Sequence, residues 1–155
     1  MTLPTLPDGP QKTLRRVAIG LHWFVGVGAM AGGFAAITNP SAPMGMSADA
    51  LKNSPFHDFL IPGIILFALL GLGNVACAAL FHRKTGLRWY ASGVLGGILV
   101  VWIVVQCVML RAVAGLHVIF FALGGIQAAI AAVVLFMENR FPFTIVREWL
   151  GIETA

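Results

Sequence analysis

Charge is the scarcest thing in this sequence. Asp, Glu, Lys and Arg together make up 10% of its 155 residues, whereas a soluble domain carries roughly 25% to keep its surface hydrated. With 59% hydrophobic residues and a mean hydropathy of +0.90, the chain is not an ordinary water-exposed globule; its solvent is lipid. Reaction motifs are missing too. There is no Cys-x-x-Cys, no His-Glu-x-x-His, no Walker-type glycine loop and no pair of carboxylates within an apolar run. Dithiol redox chemistry, zinc-dependent hydrolysis and nucleotide hydrolysis therefore have no visible foothold. The two cysteines, Cys77 and Cys107, fall near opposite ends of neighbouring spans. At 1.5 Å per residue their depths differ by roughly 20 Å, too far for a disulfide.

What the chain does have is four long uncharged runs, each sufficient for a hydrocarbon core that needs about 20 helical residues. In lipid every backbone polar group must be satisfied within its own segment, so the runs are helices. The expectation is an all-α membrane fold, a four-transmembrane-helix bundle over 17–137, with helices at 17–37, 55–81, 88–110 and 112–137. A flexible cytoplasmic tail is expected over 1–16 and a cytoplasmic interfacial tail over 138–155. Ile145, Val146, Trp149 and Leu150 fall on one side of the latter, as in a short helix lying in the membrane surface. The first run is too long for the apolar core of a cleaved signal peptide, about 7–15 residues.

The net charge of +4 is a topology signal. Lys12, Arg15, Arg16, Arg83, Lys84, Arg88, Arg140 and Arg147 would lie on one side, and only Lys52 and Arg111 on the other. That asymmetry places both termini in the cytoplasm and leaves no case for nucleic-acid binding. Trp89 and Tyr90 suit the inner interface on the same rule.

Each run carries a face of small and polar residues at helical spacing. These are His22, Gly26, Ala29, Gly33 and Ala36; then Gly63, Phe67, Gly71, Asn74 and Ala78; then Ser92, Gly96, Leu99, Ile103 and Gln106; and last His117, Phe120, Gly124, Gln127, Ala128 and Ala131. Such faces pack against other helices, and the Leu, Ile, Val and Phe faces meet lipid. Gly28 and Gly32 form a G-x-x-x-G pair, and Gly93 and Gly97 a second. Either is a route to close backbone approach or to oligomers.

The most specific stretch is Asn53–Gly63, N-S-P-F-H-D-F-L-I-P-G. Ser54 suits a helix N-cap, Pro55 the first helical position and Asp58 the positive end of the helix dipole. Pro62 would then lie inside the helix and kink it, next to Gly63. His57, Asp58, Gln106, Arg111 and His117 all fall towards the outer end, with His117 and Gln106 placed to hydrogen-bond across helices 3 and 4. These five are the ligand-pocket candidates, since ionisable groups at membrane depth suggest a functional site. Asn74, alone near the middle of helix 2, reads as interhelical glue.

Two resemblances follow from these residues. The Arg16…Leu21-His22-Trp23 start resembles the first helix of bacterial cytochrome b561-type proteins, in which such a histidine binds haem. Paired imidazoles at one level would be His22 with His82, or His57 with His117. Separately, S-P-F-x-D-F-x-I-P-G with Leu66…Gly71-Leu72-Gly73 and Trp102-Ile103-x-Val105-Gln106 resembles a family of small four-helix bacterial membrane proteins of unassigned function. That likeness spans about Val17 to Met137 and implies the four-helix fold and a multi-pass place in the bacterial inner membrane. It implies no activity. The expected function is non-enzymatic, namely binding of a lipid, small molecule or partner subunit at the outer end. No cofactor is expected. The alternatives are a b-type haem electron carrier and an oligomeric channel or transporter.

Overall fold

The computed structural model describes residues 8–83 and 85–149. Among them there is no strand, and four helices are long and apolar enough to cross a membrane. They are α1 (Asp8–Thr38), α2 (Leu60–Leu80), α3 (Leu87–Leu110) and α4 (Gly115–Met137). A short α5 (Phe143–Trp149) follows, within the stretch where a surface helix is expected. The loop between α1 and α2 contains a 3-10 helix at Ala48–Leu51, with the Ser47 side chain accepting from Asp49 N.

Where the expected 1–16 tail is described, from Asp8 onward, it is helix; residues 1–7 and 150–155 lie outside the described residues. Proline is tolerated in a first helical turn, so Pro10 does not prevent an early start. Polar contacts hold the extension down. Gln11 Nε2 donates to Glu138 Oε1 at 3.1 Å and Arg15 Nε to Phe81 O at 3.0 Å. The start of α1, the turn after α2 and the end of α4 thus meet at one end of the bundle, here the tail end.

The start of α2 differs from the expectation at 55. Phe59 N donates to Pro40 O at 2.9 Å, tying residues up to Phe59 into the loop. The cap residue is Phe59 and not Ser54, and Asp58 just before it accepts at Oδ1 from the first helical N–H, Leu60 N, at 2.9 Å. Ser54 Oγ instead accepts from Phe56 N at 3.2 Å in a local turn. Pro62 therefore sits in the first turn, where its missing N–H removes no helical bond, and the expected proline kink has no cause. The irregularity lies further on, in a π-helical segment at Leu66–Leu72. Such widened turns disturb the regular backbone ladder, and at its end Leu70 O accepts both from Gly73 N and from Asn74 Nδ2, the latter at 2.7 Å.

The small-residue faces pack as expected, with a change in which glycines matter. A Cβ on Gly33 would stand 2.6 Å from Phe67 N, and one on Gly96 would stand 2.7 Å from both Ala128 N and Gly124 O. Those separations are backbone against side-chain carbon, so α1 touches α2, and α3 touches α4, only because these positions lack side chains. The Gly28/Gly32 pair is not at these seams. Their nearest neighbours are Phe120 and Leu66 side chains at 3.3 and 3.4 Å, and a Cβ on Gly97 would meet nothing within 4 Å. Trp89, expected at the lipid interface, is core. It is 1% exposed and packs edge-on against Phe81, ring centroids 4.8 Å apart.

Candidate functional site

At the end opposite the tails, the four helices diverge around a cavity of about 280 Å³. Its wall is mostly apolar. Gly28, Ala29, Gly32 and Ala36 of α1 leave the space, Pro62, Gly63 and Leu66 of α2 close one side, and Leu99, Trp102 and Ile103 of α3 with Phe120 of α4 close the other. The glycines of the G-x-x-x-G pair thus make room here instead of seating a helix.

Of the five sequence candidates, Gln106 and His117 line this cavity, whereas His57, Asp58 and Arg111 do not. His57 and Arg111 are exposed. Arg111 ends α3 in the left-handed region, at φ 46° and ψ 35°, which turns the chain tightly towards α4. Of the structural motif, Pro62 and Gly63 line the cavity; Ser54 and Pro55 stay in the loop before it.

The expected bond between Gln106 and His117 is not made. His117 Nδ1 accepts from Ala114 N at 3.0 Å, satisfying an orphan donor at the start of α4. A backbone N–H can only donate, so in neutral His117 the ring proton sits on Nε2, which is left as a free donor. Gln106 makes no hydrogen bond among the described residues. Trp102 adds a group that sequence reasoning missed. Its indole N–H is buried and without a partner, and indole can only donate. The cavity therefore combines apolar walls with two donor-only groups and one amide.

The second site is a buried polar cluster between the tail end and the middle of the bundle. His22, Asn74, Ser92 and Gln127, one from each spanning helix, are all at most 1% exposed. His22 Nδ1 lies 2.6 Å from Asn74 Oδ1 and His22 Nε2 lies 2.9 Å from Ser92 Oγ. Gln127 Nε2 reaches Asn74 Oδ1 at 3.2 Å, and Cys77 Sγ stands 3.5 Å from His22 Nε2. Asn74 Oδ1 can only accept, which puts the ring proton on Nδ1 and leaves Nε2 to accept from Ser92. Sequence reasoning puts all four on inward faces but does not match their depths, the signal that would have joined them.

This cluster bears on the haem pairs. Both ring nitrogens of His22 are engaged within the bundle, so ligation through His22 would require breaking that network. His82 is exposed at the turn after α2, and His117 Nδ1 is held by Ala114. His57 is exposed in the loop before α2. Comparison with family models, curated proteins and solved structures finds no match to the chain.

Proposed function

We propose that this is a non-enzymatic multi-pass membrane protein that binds a lipid-like molecule in the cavity between its four helices. The single observation that carries the proposal is the cavity's lining, apolar throughout except for Trp102, Gln106 and His117. Pockets with apolar walls and a few convergent polar groups suit ligands of matching pattern. Since the Trp102 N–H and, in the neutral ring, the His117 Nε2–H have no acceptor among the described residues, the complementary head is an acceptor, a carbonyl or ester oxygen, on an acyl or isoprenoid body. Leaving a buried donor such as the Trp102 N–H without an acceptor costs about 1–3 kcal/mol, and an acceptor on the ligand offsets that cost.

A brominated fatty-acid methyl ester provides the test, because bromine quenches indole fluorescence on contact. In phosphatidylcholine nanodiscs the ester is expected to quench wild-type protein saturably, and Trp102→Phe is expected to remove the saturable part. Gly32→Leu fills the cavity from α1, where the first added carbon would make only an ordinary 3.4 Å contact with Leu66. It is expected to weaken saturable quenching about tenfold or more while the protein still folds. Quenching that stays linear in ester concentration in all three proteins would refute ligand binding here.

The same proposal places the cavity on the periplasmic side of a bacterial inner membrane, with both termini in the cytoplasm. Its support is the eight-to-two division of Lys and Arg between the two ends, which sets orientation. An alkaline phosphatase fused after Ala155 is expected to be inactive, and one inserted in the Ser41–Met46 loop active. The reverse pattern would overturn the orientation.

A further inference from the structure

The tail end holds a second concavity of about 360 Å³, lined by Lys12 and Arg15 of α1, Arg88 and Trp89 of α3, and Glu138 and Arg140 beyond α4. Among the described residues, four cations therefore converge against one carboxylate. That carboxylate is already engaged, Glu138 receiving Arg140 Nε at 2.7 Å and Gln11 Nε2 at 3.1 Å. Lys12 and Arg88 have no anionic partner among the described residues. Among the described residues Arg88 Nε and Trp89 Nε1 are buried donors without an acceptor, and Trp89 is 1% exposed. Gly86 is also part of the wall; a Cβ there would run into Arg140 Nη1, so the bare glycine lets the guanidinium lie across the turn.

Retention of cations on one side of the membrane explains how many basic residues lie at this end. It does not explain why they come from three separate segments to line one hollow, or why two buried donors in it go unpaired. Four like charges held together with one carboxylate between them repel, and an unpaired buried donor is costly. Both are relieved by a ligand that is anionic and rich in acceptors. Guanidinium groups match phosphate oxygens in geometry, and basic hollows at this membrane level suit phosphorylated headgroups.

We infer that the hollow formed by Lys12, Arg15, Arg88, Trp89 and Arg140 is a binding site for a phosphate group. The phosphate comes either from an anionic lipid headgroup or from solution. The site is independent of the cavity at the other end, and neither proposal rests on the other.

The test uses the full chain in phosphatidylcholine nanodiscs doped with phosphatidylglycerol, with retained lipids counted by native mass spectrometry. Wild-type protein is expected to retain phosphatidylglycerol in preference to phosphatidylcholine. Arg88→Gln is expected to lower that retention roughly fivefold, as befits loss of one cation near a headgroup. Lys12→Gln, at an exposed position with no partner to lose, guards against misfolding of the Arg88 variant and is expected to act in the same direction. Lys52→Gln, a cation at the opposite end, is expected to change nothing.

In a parallel arm, inorganic phosphate is added to undoped nanodiscs and its phosphorus resonance followed. Broadening by wild type but not by Arg88→Gln assigns the site to soluble phosphate, and selective lipid retention without broadening assigns it to a headgroup. Equal retention of both lipids with no broadening would overturn the inference. So would an effect of Lys52→Gln as large as that of Arg88→Gln, which would show bulk charge and not a site.

Discussion

His22→Leu is expected to destabilise the folded bundle by about 2–4 kcal/mol. The two side chains are similar in volume, so the loss comes from stranded polar groups and not from a cavity. Ser92 Oγ loses its partner at 2.9 Å, and Asn74 Oδ1 loses its shortest bond, at 2.6 Å, while keeping Gln127. With no water in the bilayer core to replace the ring, each stranded group costs toward the upper end of what interhelical bonds are worth, about 0.6 kcal/mol on average and 1.7 at most, or more where nothing substitutes. The pairing can be isolated. Because Asn74→Leu removes the acceptor that His22→Leu strands, the double variant is expected to lose less than the sum of the single losses. Unfolding in mixed detergent, measured for the four proteins, checks this. Strict additivity would show that His22 and Asn74 contribute separately and that the cluster is not a network.

The second large effect is expected at Gly96. A Cβ there would meet Ala128 N and Gly124 O at 2.7 Å and the Gln127 side chain at 3.0 Å. Two of those are backbone atoms of α4, which have no rotamer to change, so α3 and α4 must separate. Gly96→Ala gains up to about 1 kcal/mol of helix propensity, against roughly 1–3 kcal/mol of overpacking, and the net is a loss. Gly96→Val adds two methyl groups beyond the alanine Cβ in the same seam, and the expected loss is about 3 kcal/mol or more. Gly97→Ala is the matched control, with open space where the methyl goes and only the propensity gain left. It is expected to be neutral or slightly stabilising. Equal losses at 96 and 97 in thermal unfolding would mean that the α3–α4 seam is not as close as described.

The spans are legible in the sequence because a membrane helix needs a long uncharged run, and such runs cannot be mistaken for much else. Their inward faces are legible too. Gly33, Asn74, Gly96 and Gln127 all stand on small-residue faces that the helical repeat alone picks out. What the repeat does not give is axial register between helices. His22, Asn74, Ser92 and Gln127 therefore read as four separate polar residues, although they form one cluster. The start of α2 is misplaced for a different reason. Ser54-Pro55 and Asp58 both satisfy the local rules for a helix start, and the choice between them is made by Phe59 N bonding to Pro40 O, a contact from a distant part of the chain. Gln106 and His117 are found by their faces. Trp102 is not, because inside an apolar run its indole reads as one more hydrophobic group until its N–H is seen to lack a partner.

The proposed function requires that the cavity between the helices hold a molecule when the protein is in its own membrane. Native mass spectrometry of protein extracted in mild detergent and analysed without added lipid measures this most directly. One small molecule per chain is expected on the wild type, with an apolar body and a carbonyl or ester head, and none on Gly32→Leu extracted in equal folded yield. A wild-type mass equal to the bare chain, or the same adduct on both proteins, would contradict it.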